Sequence, residues 1–584
     1  MSTSIAAMIV DALAEHDVTE IWGVVGDALN PVVDAIRQED RIEWMGVRHE
    51  EAGAFAASAQ AQLTGRLAVC MGTVGPGAIH LLNGLYDAKK AHAPVLAVVG
   101  QVPTENIGTD FFQEVDNDRL FADVAAWTGT VTSANQMPLL LEQAVNAALA
   151  QQGVAVLSLP GDISGLKLPR GTRTPQFAPR PVAAPAAEDA VRDAARAIDA
   201  AEKVTLLVGR GAREAREDVL RLADALAAPM VLTLKAKEGL EHDNPYQVGQ
   251  TGLIGNPAAA DAMEGADVLV MVGTDFPYRE FIPEGKTVVQ IDRAAEHIGR
   301  RTAVQHALVG SVGPTLAALL PQLTPRSDRG FLTSAQERYA SWLEDQRRLA
   351  DPAHDESLLG KVRSLADNPD EKVRPEAVAL ALDEVCSHDA IFTSDTGMST
   401  VWLSRLLPMR GDRRLIGSYN LGSMANAMPM ALGAQALDRS REVVALCGDG
   451  GLMMLIGDLR TAVTYRLPAT FVVFNNSKLG MVKLEQEQVG LPEYGTALDN
   501  PDFAEVARAM GLRSRRVEDP AELEVVLREA VTSREPWLVD VVTNPDEVSV
   551  PGKVEASQAL GFAKAKVTEA WAKVGPQSGE PGQA

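Results

Sequence analysis

The strongest constraint on the fold is a repeated alternation between short apolar stretches and longer, Ala-rich amphipathic stretches. The apolar stretches are rich in Val, Ile and Leu and predict buried β-strands, whereas the amphipathic ones, such as 5–15, 52–62 and 452–465, predict helices. Strands separated by helices run parallel as βαβ units, so the predicted class is α/β with doubly wound parallel sheets. The predicted strands are residues 67–71, 95–99, 154–159, 204–208, 268–272, 288–291, 443–447 and 471–474.

Two stretches interrupt this alternation and divide the chain. Residues 166–187 contain five prolines and predict a linker, and residues 327–375 are charged and hold no strand candidate. Three α/β domains are therefore expected, joined by one helical connection and followed by a polar tail. The predicted bounds are 1–180, 188–325 and 370–550 for the domains, 326–369 for the helical connection and 551–584 for the tail.

The charge balance excludes some function classes. The chain has 54 Lys and Arg against 78 Asp and Glu, and this net charge of −24 argues against a nucleic-acid partner. The three cysteines are far apart and indicate neither a disulfide framework nor a zinc cluster. The sequence shows no signal peptide and no apolar run of about 18 residues, so we expect a soluble, cytoplasmic protein.

The third domain has the sharpest chemical signal. A predicted strand runs into Gly448-Asp-Gly-Gly451, and the next predicted strand ends in Asn475-Asn476. The carboxyl ends of parallel strands open on one edge of a sheet, so Asp449 and Asn476 are expected at one site. A carboxylate and an amide oxygen suit Mg²⁺ that also binds phosphate oxygens. The alternative is a Gly-rich turn with a helix-capping Asp.

This spacing resembles the signature of thiamine-diphosphate enzymes. The resemblance implies that Asp449 and Asn476 bind Mg²⁺, which holds the cofactor diphosphate. It also implies that Glu50, in Arg48-His-Glu-Glu51, meets N1′ of the aminopyrimidine from the first domain of a neighbouring subunit. An apolar pocket would raise the pKa of such a carboxyl and let it share its proton with N1′. Without the resemblance, Glu50 is an acid at a helix start, favoured by the helix dipole.

The resemblance extends from about residue 21 to 550 and assigns further residues. Phe112 would form an apolar wall over the reacting carbon, and Gln113 would donate a hydrogen bond to a substrate oxygen. Met424 would bend the cofactor, and Glu485 would be an outer acid of the site. The alternatives are ordinary packing for Phe112 and Met424 and an exposed helix acid for Glu485. The other residues expected around thiamine diphosphate are Gly422, Ser423, Gly450, Gly451, Ser477, Lys478, Leu479, Gly480, Met481 and Val482.

The central domain has three segments similar to the flavin-binding segments of pyruvate oxidases and pyruvate:quinone dehydrogenases. Two of them begin at the ends of predicted strands, where a nucleotide would lie on a parallel sheet. Asp292 is placed to bind a ribose hydroxyl. The alternative is a central domain retained only for structure. The residues expected to bind FAD are Thr251, Gly252, Leu253, Ile254, Thr274, Asp275, Phe276, Pro277, Tyr278, Asp292 and His297.

The resemblance implies oxidative decarboxylation of pyruvate to acetate and CO₂, with electrons passing through FAD to a quinone, in a homotetramer or at least a dimer. Oxygen as the acceptor, a carboligase of the acetohydroxyacid synthase type, and a non-catalytic homologue are the alternatives. Leu421 stands where the quinone-linked enzymes usually have His. Residues 555–574 could form a short amphipathic helix, for which docking on the protein body is preferred over peripheral contact with the inner face of the cell membrane.

Overall fold

Three six-stranded sheets form the framework, and all strand pairings within them are parallel over the residues that the structure describes. The computed structural model describes residues 4–178, 182–350, 368 and 371–545. Helices flank each sheet, as the alternation of apolar and amphipathic stretches requires. The predicted α/β class with three parallel sheets is therefore confirmed.

The first sheet has the strand order β2-β1-β3-β4-β6-β5. Its strands are β1 (Glu20–Gly23), β2 (Glu43–Gly46), β3 (Ala68–Gly72), β4 (Val95–Gln101), β5 (Ala125–Thr130) and β6 (Val154–Pro160). Its helices are Ile5–Ala14, Asn30–Arg37, Glu50–Thr64, Pro76–His80, Leu82–Ala91, Asn117–Leu120, Met137–Gln151 and Gly161–Ser164.

The central sheet has the order β12-β11-β10-β7-β8-β9, and its direction of winding reverses between β7 and β10. Its strands are β7 (Val204–Val208), β8 (Met230–Leu232), β9 (Gln247–Gln250), β10 (Val268–Val272), β11 (Thr287–Asp292) and β12 (His306–Val309). Its helices are Glu188–Ala200, Arg216–Leu226, Lys237–Leu240, Pro257–Glu264 and Val312–Leu319, followed by the long helix Gly330–Ala350.

The third sheet has the order β14-β13-β15-β16-β18-β17. Its strands are β13 (Ile391–Ser394), β14 (Arg414–Gly417), β15 (Val443–Gly448), β16 (Thr470–Asn475), β17 (Arg513–Val517) and β18 (Trp537–Val542). Its helices are Pro375–Val385, Met398–Leu406, Ala427–Leu437, Asp449–Leu455, Leu459–Tyr465, Gly480–Gln488, Phe503–Met510 and Leu523–Thr532.

The first and third sheets share one hydrophobic core. The helix Glu50–Thr64 crosses the helix Ala427–Leu437 so closely that a Cβ at Gly433 would lie 2.3 Å from the Ala56 carbonyl oxygen. Only glycine permits this approach, because the opposing atom belongs to the backbone and cannot rotate away. Glu50 therefore begins a helix that is packed against the third domain of its own chain.

The predicted strands are all present, with ends shifted by at most two residues. Among the described residues, ten further strands are found that the sequence did not predict. They are the six edge strands of the three sheets and the interior strands β1, β8, β13 and β18. Edge strands have one unpaired side and need less apolar sequence, so they lack the signal that marks central strands.

The predicted helix 452–465 is wrong as a single element, since a 3₁₀ turn, Ile456–Asp458, divides it. The Asp458 carboxylate at this turn accepts the N–H groups of Arg48 at 2.7 Å and His49 at 3.2 Å. The helix Gly330–Ala350 lies in the predicted connection, whereas most of 351–370 and the whole predicted tail lie outside the described residues. None of the described helices is long and apolar enough to cross a membrane.

Candidate active site

Asp449 lies at the carboxyl end of β15, where it begins the helix Asp449–Leu455 and is only 3% exposed. One carboxylate oxygen accepts the Gly450 N–H at 2.8 Å, and the other accepts the Ser477 N–H at 2.7 Å. Ser477 directly follows Asn476, just beyond the end of β16. The structure therefore brings the two motifs together at one edge of the sheet, where the carboxyl ends of parallel strands meet.

The Asp449 carboxylate is buried without a basic partner in the part of the chain that the structure describes. Burial raises its pKa, and hydrogen bonds from Gly450, Asn500 and Ser477 oppose that effect. The Asn476 side-chain oxygen is half-buried and accepts the Lys478 N–H at 3.0 Å. A cation between the Asp449 and Asn476 oxygens would supply the missing positive charge.

The segment with Met424 lies against the Asp449 loop. A Cβ at Gly450 would lie 3.0 Å from the Leu479 side chain and 3.4 Å from the Met424 side chain. Gly422, two residues earlier, has a φ of +80°, and Ser423 accepts a hydrogen bond from Asn83 of the first domain at 2.9 Å. Three segments predicted to surround the diphosphate therefore meet at one place.

Beyond Asn476, the chain turns sharply into the helix Gly480–Gln488. Ser477 has a left-handed φ of +56°, an uncommon conformation for a residue with a side chain. Lys478 pairs with Glu493 at 3.1 Å. The next residues of this turn and helix, in order, are Leu479, Gly480, Met481, Val482 and, one turn later, the exposed Glu485.

Glu50 is the first residue of the helix Glu50–Thr64 and is 7% exposed. His49 caps this helix through a ring nitrogen that accepts the Glu51 N–H at 3.3 Å. One Glu50 oxygen lies 2.9 Å from Nδ1 of His80, and the other lies 3.1 Å from the position of a Cβ on Gly77. His49 and His80 also stack, with ring centroids 4.3 Å apart, so Glu50 lies in a compact group with two imidazoles.

Phe112 and Gln113 lie on a loop beside the turn at Gly75. Gln113 has a φ of +65°, and its carbonyl oxygen lies 2.8 Å from the position of a Cβ on Gly75. The Glu114 carboxylate accepts the N–H groups of Gly108 and Phe111 and closes the loop. Phe112 is 78% exposed in the single chain. The loop is thus folded and presents an aromatic ring outward.

The segments predicted to bind FAD converge at one edge of the central sheet. Gly252 has a φ of +100°, and a Cβ there would lie 3.2 Å from the Phe276 ring and 3.6 Å from the Tyr278 ring. Burial, with the charges of Glu280 and Glu485, raises the pKa of Tyr278. The neighbouring predicted residues are the buried Thr251 and Thr274, the half-buried Ile254 and Pro277, and the exposed Leu253.

Asp275 joins all three domains. Its Oδ2 atom lies 3.2 Å from Nε2 of His92 in the first domain and accepts a hydrogen bond from Asn420 of the third at 2.8 Å. Burial alone would raise the pKa of Asp275, but the His92 hydrogen bond and the nearby charge of Lys235 hold it below its ordinary value. Asp275 therefore connects the predicted flavin segment directly to the segment that contains Met424.

Asp292 and His297 form a second polar pair at this edge. Asp292 is buried at the end of β11, accepts the Ala294 N–H at 2.9 Å and lies 3.5 Å from Nδ1 of His297. The His297 ring lies 5.5 Å from that of His92. The structure thus gathers the predicted flavin residues at the carboxyl edge of the central sheet.

Within the described part of one chain, Glu50 forms no direct hydrogen bond with the residues of the predicted diphosphate site. Among the described residues, Glu50 forms its side-chain hydrogen bond with His80 and none with Asp449, Asn476 or Met424.

Comparison with known proteins decides the family. Models described as the N-terminal thiamine pyrophosphate (thiamine diphosphate) binding domain, the central domain and the C-terminal binding domain of thiamine pyrophosphate enzymes match residues 3–120, 191–319 and 395–541. The chain belongs to the thiamine pyrophosphate enzyme family.

Similar curated proteins of this family differ in their named activities. The chain is 37% identical to the putative thiamine pyrophosphate-containing protein YdaP of Bacillus subtilis, over 95% of this chain and 94% of that protein. It is 31% identical to the pyruvate oxidase of Lactiplantibacillus plantarum, over 95% and 91%. It is 30% identical to a probable acetolactate synthase large subunit of Methanocaldococcus jannaschii, over 93% and 92%.

The residues at the edge of the third sheet fit thiamine diphosphate with Mg²⁺. The buried Asp449 carboxylate and the Asn476 amide oxygen are hard ligands, too few to enclose a metal ion, and Mg²⁺ commonly completes such a set with phosphate oxygens and water. The central domain also has an unsatisfied group suited to a ligand. The side-chain Nε2 of Gln250, next to Thr251, is buried without a partner among the described residues.

Some residues at the candidate site of this thiamine pyrophosphate enzyme were not predicted. His80 contacts Glu50, Asn500 donates to Asp449 at 2.8 Å, and Asp395 accepts the Gly448 N–H at 3.1 Å. Burial raises the pKa of Asp395 to about 7, and three backbone N–H groups oppose that effect. Asp395 follows a strand that the sequence analysis missed, and knowledge of β13 would have directed attention to it. No sequence signal marks Asn500.

Proposed function

We propose that this thiamine pyrophosphate enzyme oxidises pyruvate to acetate and CO₂ and passes two electrons through FAD to a quinone. In balanced form, pyruvate and water give acetate, CO₂, two protons and two electrons, and the flavin takes up both electrons before the quinone reoxidises it. Thiamine diphosphate and FAD supply the hard chemistry, and the chain supplies binding, orientation and electrostatics.

The observation that carries this proposal is the contact of Asp275 with Asn420. Asp275 belongs to the predicted flavin segment, and Asn420 begins the segment that leads to Met424 in the thiamine site. A flavin on the central sheet would therefore lie beside the thiamine cofactor, as electron transfer between the two requires. The buried side-chain nitrogen of Gln250, which has no partner among the described residues, supports a ligand at the same edge.

At the thiamine site, the bound cofactor supplies a nucleophilic carbon and accepts the electron pair released on decarboxylation. Glu50 would hold a proton at N1′ of the aminopyrimidine, and its contact with His80 fixes the orientation of the carboxyl. Phe112 would exclude water, and Gln113 would donate to a substrate oxygen. Loss of CO₂ is favoured in such a dry site because a low-polarity environment disfavours the charged carboxylate.

We also propose a homotetramer whose smallest active unit is a dimer. Glu50 forms no hydrogen bond with Asp449 among the described residues of one chain, and large apolar side chains near both sites are exposed. A second copy that covered these side chains would remove apolar surface from water and bring the first domain of one chain to the third domain of the other. The exposed residues are Val25, Ile79, Phe111, Phe112, Met453, Met454, Val482, Val489, Leu491 and Tyr494.

The second candidate is a carboligase that forms acetolactate from two pyruvates without a net electron transfer. Similarity to proteins named acetolactate synthase favours it.

The electron acceptor has an alternative of its own. Leu421 stands where the quinone-linked enzymes usually have His, which leaves oxygen as the alternative acceptor. If a quinone is the acceptor, peripheral contact with a membrane would bring the enzyme to it.

The test is an anaerobic mixing experiment. The full-length protein, loaded with thiamine diphosphate, Mg²⁺ and FAD, is mixed with pyruvate while the flavin absorbance is followed. Loss of the oxidised flavin spectrum with formation of acetate is expected, and Glu50→Gln should slow both roughly 10²- to 10⁴-fold. A flavin that stays oxidised while acetolactate accumulates would instead establish the carboligase. Adding ubiquinone or oxygen to the reduced enzyme identifies the acceptor by the rate of reoxidation.

A further inference from the structure

Asp395 occupies a fixed position behind the thiamine site. It follows β13, which pairs with β15 in the third sheet, and it is 2% exposed. Its N–H donates to the Leu446 carbonyl at 3.0 Å, and its own carbonyl accepts the hydroxyl groups of Ser399 at 3.1 Å and Thr400 at 2.6 Å. Hydrogen bonds to both its N–H and its carbonyl hold the Asp395 backbone in place. The position from which its side chain extends is therefore fixed.

The Asp395 carboxylate bonds to two different segments of the site. Oδ1 accepts the Ala427 N–H at 2.9 Å, and Oδ2 accepts the Gly448 N–H at 3.1 Å. Ala427 lies three residues after Met424, and Gly448 directly precedes Asp449. One buried side chain therefore links the turn that presents Met424 to the loop that presents the metal ligand.

The turn after Met424 is strained. Ala425 has a φ of +65°, which an L-residue adopts at a cost, and it is buried. The next residue, Asn426, closes the turn, because its side chain accepts the Ser418 N–H at 3.2 Å and donates to the Ser423 carbonyl at 2.7 Å. Two hydrogen bonds at Ala427 then fasten this closed turn to the sheet: its N–H donates to Asp395, and its carbonyl accepts the hydroxyl of Thr393 in β13 at 2.7 Å.

Gly451 packs closely against the Asp395 carboxylate and the turn at Ala425. A Cβ at this position would lie 2.3 Å from Oδ2 of Asp395 and 3.2 Å from the Ala425 nitrogen. The carboxylate, the strained turn and the Gly-Asp-Gly loop are therefore in mutual contact, and no side chain fits between them.

We propose that Asp395 is a positioning residue for thiamine diphosphate, whose carboxylate holds the Met424 turn and the Gly448–Gly451 loop at the separation that the bound cofactor requires. This role depends on membership of the thiamine pyrophosphate family and not on the proposed oxidation of pyruvate. It would be the same in a carboligase.

The test is the affinity of the cofactor-free, full-length protein for thiamine diphosphate at saturating Mg²⁺, measured by titration calorimetry. In Asp395→Asn one acceptor oxygen becomes an NH₂ group that faces an N–H donor, and the affinity should fall roughly 10- to 100-fold. The matched control is Asp383→Asn. Asp383 is a buried carboxylate of the same domain that bonds to Arg410 and Arg413, away from the Gly448 loop. This control should change the affinity less than about 2-fold while lowering thermal stability.

A rescue variant separates positioning from general destabilisation. Glycine adopts a positive φ without strain, so Ala425→Gly added to Asp395→Asn should restore several-fold of the lost affinity. If Asp395→Asn does not fold, Gly451→Ala disturbs the same contact with the carboxylate kept, and it should weaken binding likewise. Wild-type affinity in Asp395→Asn, or in Gly451→Ala, would overturn the proposal. A loss in Asp395→Asn that Ala425→Gly leaves unchanged would overturn the role of the turn.

Discussion

The first and third sheets have the same strand order, with β1, β2, β3 and β4 corresponding to β13, β14, β15 and β16, yet their carboxyl edges carry different groups. In the third domain, the chemical groups follow the two neighbouring central strands, as Asp449 after β15 and Asn476 after β16. In the first domain, the corresponding positions after β3 and β4 hold the turn around Gly75 and the segment from Gln101, and the acid, Glu50, follows the edge strand β2.

The two domains therefore share a strand order but differ in the reactive groups at their strand ends. The common topology provides an edge at which loops converge, and the residues at the strand ends decide whether that edge binds a metal or handles a proton. The third domain offers oxygen ligands and close glycines. The first offers one buried carboxyl with imidazoles beside it. We expect variants of the third domain to lose cofactor binding and variants of the first to lose turnover.

The largest expected effect sharpens this division. In the proposed role, Glu50 shares a proton with the cofactor and Glu50→Gln removes it, so kcat should fall roughly 10²- to 10⁴-fold, while the affinity for thiamine diphosphate stays within a few-fold. Steady-state kinetics and calorimetry measure the two quantities. Glu51→Gln is the matched control and should retain most of the activity, since Glu51 bonds to Asn83 instead of His80. Near-normal turnover in Glu50→Gln would remove Glu50 from the chemistry.

The reciprocal variant belongs to the third domain. Asp449→Asn removes the charge that Mg²⁺ requires, and the apparent Mg²⁺ affinity should fall about 100-fold, with kcat partly recovered at high Mg²⁺. Asp502→Asn is a suitable control, because Asp502 caps a helix of the same domain and accepts the Glu505 N–H at 2.9 Å. An unchanged Mg²⁺ requirement in Asp449→Asn would contradict the metal site.

A smaller effect is expected at His80. His80→Ala leaves Glu50 without its partner at 2.9 Å, so kcat should fall about 10-fold with little change in thiamine diphosphate affinity. His80→Asn places a side-chain N–H near the position of Nδ1 and should recover part of the loss. Equal losses in the two variants would mean that His80 acts by its bulk and not through its hydrogen bond.

The smallest effect on catalysis, and a distinct effect on stability, is expected at Asp87 of the first domain. Burial raises the pKa of Asp87 to about 6, against hydrogen bonds from Ser58 and Ser418. Because the folded protein holds this proton more tightly than the unfolded chain, the stabilising contribution is complete below about pH 4 and is lost as the pH rises through about 6.

Asp87→Asn should remove that pH dependence. Relative to the wild type, the stability of the variant should improve between pH 4 and pH 8 by about 3 kcal/mol, from roughly two pKa units at about 1.4 kcal/mol each. Thermal unfolding at several pH values measures this difference. A difference between the two proteins that stays constant over this range would show that Asp87 keeps an ordinary pKa in the fold.

Every strand that was predicted lies inside its sheet, whereas all six edge strands and the interior strands β1, β8, β13 and β18 were not predicted. Strands such as β10 are buried along their whole length, so their sequences are continuous apolar runs that predict a strand. By contrast, β17 carries three arginines in five residues and forms a strand only because β18 offers it hydrogen-bonding partners. Because β13 was not predicted, Asp395 was not recognised as a residue at the carboxyl end of a strand, where site residues of a parallel sheet lie.

The sequence by itself determined the α/β class, eight of the interior strands and the two motifs that place Asp449 and Asn476 at one edge, because apolar periodicity and chain direction are local properties. The tertiary structure alone decided which groups surround them. The contact of His80 with Glu50, the link from Asp275 to Asn420 and the hold of Asp395 on two loops each join residues from different segments. Such pairs arise from packing between elements, for which a single sequence has no local signal.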